Sequence, residues 1–237
     1  MVEIGGIQKL TLIDYPGHLA ATVFLFSCNF RCPFCYSSEL VLPEKMKEQP
    51  RISRDVFLKF LKEKKGLLEG IVICGGEPTV NDDLPEFIEE IKKEGYLVKL
   101  DTNGSNPEML ENLIKEKLID YVAMDIKASK ENYYKANGWP KEKNPELTEK
   151  IEKSIKILKE CGIGYEFRST IVPTIHDEKE ILEMAKWIGP AKKYYLQGFR
   201  PEKTINPDFE KIKPFPEEWL IEVKEKINSL FEVCRIR

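Results

Sequence analysis

The sequence predicts an α/β fold, a single-domain partial open (β/α)6 barrel spanning residues 1–237. Three observations predict it. Six short apolar segments alternate with six charged, amphipathic ones. Turn residues separate them, and the chemically distinctive residues fall just after the apolar segments. Strands that alternate with helices form parallel sheets with right-handed crossovers. Six units rather than eight leave a barrel open. A doubly wound open sheet has the same periodicity and competes with it. In both, a ligand sits at the carboxyl ends of the strands.

The strands are expected at 21–27, 70–74, 97–101, 121–125, 165–172 and 193–199, each rich in Val, Ile, Leu, Phe or Tyr. The helix expected at 54–64 follows Ser53, a good N-cap residue. That at 84–94 stops before Gly95. The next, 107–117, starts with proline, which suits a first turn. Helices at 146–161 and 178–188 stop at Gly162 and Gly189, and a final helix at 216–231 closes the chain. No repeat, low-complexity stretch or long linker divides the sequence.

Of the 237 residues, 42% are apolar and 32% charged, with a net charge of only −3. That balance gives no global attraction to nucleic acid or membrane. No window approaches the roughly 18 apolar residues of a spanning helix. The opening MVEIGGIQKL lacks the basic-then-apolar order of a signal peptide, so a cytoplasmic protein is expected. In a reducing compartment, clustered cysteines point to a metal site rather than disulfides. Cys28, Cys32 and Cys35 are clustered, whereas Cys74, Cys161 and Cys234 are scattered and read as small core residues. His18 and His176 are the only histidines and read as surface or loop residues, which gives histidine acid–base catalysis little support.

After the first predicted strand comes SCNFRCPFCYSS, a C-x3-C-x2-C spacing. Four thiolates saturate a [4Fe–4S] cluster, so three leave one iron for an exogenous ligand. A zinc site would want a fourth Cys or His at short range, but His18 and Cys74 are distant in sequence. The spacing points to Cys28, Cys32 and Cys35 as cluster ligands.

This motif, in a chain of βα units, resembles the radical S-adenosylmethionine superfamily. Phe34 fills the aromatic place before the third cysteine. The resemblance implies that the methionine end of S-adenosylmethionine chelates the open iron. An electron from the reduced cluster would then break the sulfonium C–S bond, leaving methionine and a 5′-deoxyadenosyl radical.

The second strand ends in CGGEP. Glycines let the backbone approach a ligand, and Glu77 offers a carboxylate to an ammonium group. By resemblance, Gly75, Gly76, Glu77 and Pro78 form the motif that holds the methionine amino group. The third strand ends in DTNG and the fourth in MDIK. Their residues suit either ordinary turns or a polar pocket binding a cation, ribose hydroxyls or a carboxylate. Activating enzymes of glycyl-radical proteins have similar elements, which implies cofactor roles for Asp101, Thr102, Asn103, Asp125 and Lys127, including a monovalent-cation site. Lys127 and Arg168 are the catalytic candidates, with Val172 at the adenine edge. The sixth strand has Gln197 where the family often has histidine, and an amide cannot change charge near neutral pH. Tyr36 follows the third cysteine, where many relatives have histidine.

The segment GIQKLTLIDYPGHLAATVFLFSCNFRCPFCY resembles the activating family of anaerobic ribonucleotide reductase. That likeness implies hydrogen abstraction from a glycine of a partner glycyl-radical enzyme, with a flavodoxin- or ferredoxin-type electron donor. A stand-alone radical enzyme modifying a small molecule is the alternative, and a non-catalytic iron–sulfur protein a more distant one.

Overall fold

The computed structural model describes residues 1–237. Its strands are β1 (Ile4–Thr11), β2 (Ala20–Leu25), β3 (Gly70–Gly75), β4 (Leu97–Thr102), β5 (Tyr121–Asp125), β6 (Gly164–Ile171), β7 (Ala191–Gly198) and β8 (Phe231–Ile236). Two short helices, α1 (Ser38–Val41) and α2 (Pro43–Met46), follow β2, and α3 (Arg54–Lys64) leads into β3. Then come α4 (Leu84–Lys93) before β4, α5 (Pro107–Lys115) before β5, and α6 (Tyr133–Asn137) and α7 (Leu147–Glu160) before β6. The last two are α8 (Glu178–Ile188) before β7 and α9 (Glu217–Ile227) before β8. The eight strands hydrogen-bond in sequence order, β1 to β8, as an open sheet. Only β1 is antiparallel to its neighbour in the registers described. The fold is α/β with a mostly parallel, unclosed sheet, as the alternating pattern predicts.

The chain packs into two compact units that interleave in sequence. The first holds Met1–Asn29, Glu39–Thr102 and Asn106–Val122; the second holds Phe30–Ser38, Asn103–Ser105 and Ala123–Arg237. In the first, Phe57 of α3 stacks on Phe87 of α4 at 5.5 Å. Ile71, Val72 and Ile73 of β3 are fully buried, each contributing roughly 1.5–3 kcal/mol. Lys99 is buried on β4 and ion-paired with Asp101, two residues on and therefore on the same face. In the second unit, Tyr194 packs 4.9 Å from Phe231, and its hydroxyl donates to Ser169 Oγ at 2.8 Å. Buried Glu166 receives both terminal nitrogens of Arg237, at 2.7 and 3.2 Å.

The six expected strands are β2 to β7, with ends shifted by at most two residues. Edge strands β1 and β8 were not among those expected. The expected final helix runs too far, because Phe231 starts β8 rather than ending α9. Ser53 caps α3 by accepting from Val56 N at 3.3 Å. Gly95 and Gly162 lie in the left-handed region, at φ 94° and 76°. Gly189 differs: it caps α8 in an extended conformation.

Candidate functional site

The first unit builds a carboxylate centre at the end of β3. Strands β2 and β3 align residue for residue up to Leu25 opposite Gly75. Beyond them Gly76 N donates to Leu25 O at 2.9 Å and Glu77 N to Ser27 O at 2.7 Å. This approach explains both glycines. Gly75 has φ 114°, and a Cβ there would lie 2.4 Å from Leu25 N; one on Gly76 would lie 1.9 Å from Ser27 O. Ser27 itself is left-handed, at φ 74°, as it turns the chain into Cys28. Glu77 is buried, and its Oε1 accepts from Thr79 N at 3.1 Å, Thr79 Oγ1 at 2.6 Å and Thr102 Oγ1 at 2.7 Å. Three donors on one oxygen fix the orientation of the carboxylate. Pro78 opens the short 3₁₀ turn that carries Thr79.

The second unit builds a cationic centre. Asp125, the last residue of β5, accepts from Lys127 Nζ at 3.0 Å and from Arg168 Nε, on β6, at 2.9 Å. Burial works to raise the Asp125 carboxyl, but Arg168 and then Lys127 outweigh it and hold the group down to about 2. Burial likewise works against the Lys127 ammonium, and Asp125, followed by Cys32, holds its pKa above the ordinary value. The Lys127 and Arg168 cations, both beside Asp125, suit a carboxylate or another anion. Tyr36 is 61% exposed, with its hydroxyl within electrostatic reach of the same three residues.

The loop carrying the cysteines is held by its own main chain. Arg31 N donates to Asn137 O at 2.8 Å and Cys35 N to Cys32 O at 3.0 Å. A segment after β7 adds Ile205 N to Cys35 O and Asn206 N to Pro33 O, both 3.0 Å. Phe34 is buried. All six cysteines are thiols, Cys32 buried and Cys28 and Cys35 half-buried. The Tyr133 hydroxyl is fully buried without a hydrogen-bond partner, within electrostatic reach of Cys32 and Lys127. Three thiols spaced four and three residues apart have the donor chemistry an iron–sulfur cluster takes.

His176 corrects the surface reading: it lies in a loop but is only 1% exposed. Its Nδ1 accepts from Val172 N at 2.9 Å, so Nε2 carries the proton and donates to Lys127 O, also at 2.9 Å. The ring thereby ties the loop after β6 to the one after β5. Burial pushes its pKa below the ordinary value, whereas the unfolded chain takes up this proton near pH 6.5. Below about pH 6.5 the unfolded state binds more protons, so this contribution to stability is lost as pH falls toward the folded value. The stability gap between wild type and His176→Gln should narrow below about pH 6.5, by at most about 1.4 kcal/mol per pH unit. Urea denaturation at pH 7.5, 6.5 and 5.5 measures it, and a gap that does not change with pH would refute the assignment.

Within the first unit, Cys28, Gly75, Gly76, Glu77, Pro78 and Thr102 come together at the ends of β2, β3 and β4. Within the second, Cys32, Cys35, Tyr36, Asp125, Lys127 and Arg168 do so, with Val172 joined to Lys127 through His176. Asp101 is engaged by Lys99. Asn103 closes a turn by accepting from Ser105 N at 2.9 Å. Gln197 lies on β7 opposite Thr170, outside these groups. Sequence reasoning missed Thr79, Tyr133 and His176. Only Thr79, directly after the GGEP run, had a signal to find it by.

The Radical SAM superfamily model matches residues 22–188. A protein of Methanocaldococcus jannaschii named as a glycyl-radical enzyme activating enzyme is 37% identical over 217 residues, covering 91% of this chain and 87% of that protein. A second protein of that organism with the same kind of name is 28% identical, covering 71% of this chain and 62% of its own length. Among solved structures, Streptococcus suis SuiB bound to S-adenosylmethionine superposes with a TM-score of 0.63 at 17% identity. It covers 89% of this chain, which spans 48% of SuiB; at that identity the likeness shows the fold.

Proposed function

The chain belongs to the radical SAM superfamily, and from that premise we propose that it is an activating enzyme that abstracts a glycine hydrogen atom from a partner glycyl-radical enzyme. The observation that carries the chemistry is the trio of thiols, Cys28, Cys32 and Cys35, on a loop whose main chain is already tied in place. In this reading the three thiolates hold a [4Fe–4S] cluster and leave one iron open. When bound, the cluster and S-adenosylmethionine would supply a 5′-deoxyadenosyl radical able to abstract a hydrogen atom from a glycine Cα of the partner.

The chain's own residues orient the cofactor. Glu77, fixed by Thr79 and Thr102, receives the methionine ammonium. Lys127 and Arg168 receive the carboxylate. Asp125 therefore serves as an internal counter-ion, and Lys99 does the same for Asp101. Val172 and Tyr36 border the nucleoside end. Electrons come from a flavodoxin- or ferredoxin-type donor, and the partner is an anaerobic ribonucleotide reductase. The activase role is supported by the likeness to the M. jannaschii protein over nearly its whole length. No helix is long and apolar enough to cross a membrane.

Reduced, reconstituted protein mixed with S-adenosylmethionine and the glycyl-radical reductase of the same organism should produce a doublet EPR signal from a glycyl radical. Mutating the partner's radical glycine to alanine should remove it. Robust 5′-deoxyadenosine formation with no protein radical would reject the activase role while leaving the radical chemistry intact.

A further inference from the structure

The Tyr133 phenol has no role in the scheme above. It sits at the start of α6, only 1% exposed. A tyrosine hydroxyl buried without a partner costs free energy, so such groups normally find an acceptor. Two contacts anchor α6 to the cysteine loop. The Tyr133 ring packs edge-on to Phe30 at 6.4 Å, and Asn137 O accepts from Arg31 N at 2.8 Å. Trp187 closes the far side of the ring at 6.0 Å. The ring is thereby fixed against the cysteine loop, with its hydroxyl within electrostatic reach of Cys32. Burial keeps it protonated, so it remains a donor.

We infer that the Tyr133 hydroxyl donates a hydrogen bond to a cluster sulfur at Cys32 and thereby sets the reduction potential of the cluster. The inference rests on the cluster reading proposed above. A donor to a cluster sulfur stabilises the more negative, reduced state and raises the potential. Tyr133 is on this account a positioning and tuning residue that takes no part in proton or hydrogen-atom transfer.

Redox titration of the reconstituted protein, followed by the EPR signal of the reduced cluster, tests it. Tyr133→Phe removes one oxygen atom and should lower the equilibrium constant for reduction about tenfold, a negative shift of about 59 mV for one electron. Tyr96→Phe is the control. Its hydroxyl is equally buried but donates to Leu61 O at 2.6 Å, far along the sequence from the cysteine loop, and the midpoint should stay at the wild-type value. Placing 3,5-difluorotyrosine at position 133 makes the phenol a stronger donor with almost no change of shape, and should move the midpoint in the positive direction. That near-isosteric replacement decides the matter even if Tyr133→Phe takes up no cluster. An unmoved midpoint in Tyr133→Phe, or an unmoved or negative shift with the fluorinated residue, overturns the inference and leaves the proposed function standing. A wild-type protein that takes up no cluster overturns the function and this inference with it.

Discussion

Cys32→Ala is expected to lose the visible absorbance of the iron–sulfur cluster and to drop 5′-deoxyadenosine formation to background, while the fold survives. Cys32 is 7% exposed. The loop around it is held by main-chain hydrogen bonds from Arg31, Cys35, Ile205 and Asn206 that do not involve its sulfur. Replacing the thiol therefore removes a ligand and only a small buried volume, which costs about 1 kcal/mol or less. Circular dichroism and the thermal midpoint should stay near wild type, and iron content should fall sharply. A variant that keeps iron and full cleavage activity would show that Cys32 is not a ligand.

Glu77→Gln is expected to keep both fold and cluster yet bind S-adenosylmethionine about ten- to a hundredfold more weakly. The Glu77 carboxylate accepts from Thr79 N, Thr79 Oγ1 and Thr102 Oγ1. A glutamine oxygen can take the same three donors, so the turn at Pro78 survives. What disappears is the negative charge opposite the methionine ammonium. Charge-assisted hydrogen bonds of this kind are worth about 1.5–3 kcal/mol, which sets that range. Glu77→Ala is the poorer probe, because it leaves buried donors on Thr79 and Thr102 unpaired and costs stability as well. Equilibrium binding to the reconstituted protein measures the effect, and an affinity equal to wild type would remove Glu77 from the cofactor site.

How much of this was legible in the sequence depended on whether the signal was local. Strands β2 to β7 are apolar runs bounded by turn residues, and Ser53, Pro107 and Gly95 mark helix ends by chemistry that acts within one turn. Asn106 caps α5 by accepting from Met109 N at 3.2 Å. The strands that escaped are the two edges. β1 begins Ile-Gly-Gly-Ile, where adjacent glycines weaken a strand pattern and allow the irregular register with β2. In β8 the charged residues Glu232 and Arg235 break an apolar run that follows directly on a helical pattern, so no clean alternation marks its start and that start was absorbed into the expected final helix. The site divides the same way. Motif residues at strand ends were readable because their types and spacing are unusual. Their supports were not. Lys99 reads as a surface lysine until β4 buries it beside Asp101. His176 reads as a loop residue, and its role depends on Lys127, 49 residues away. Tyr133 is one of two adjacent tyrosines, and nothing in the sequence says that it is the buried one, while Tyr134 is 40% exposed.

Everything proposed depends on three sulfur anchors leaving one iron exposed to an incoming amino acid group. Mössbauer spectroscopy of protein reconstituted with 57Fe, recorded with and without S-adenosylmethionine, tests this directly. The account predicts that one iron of the four changes its isomer shift when the cofactor is added, while three keep theirs. Four irons that all stay unchanged, or an absence of any four-iron cluster, would contradict it.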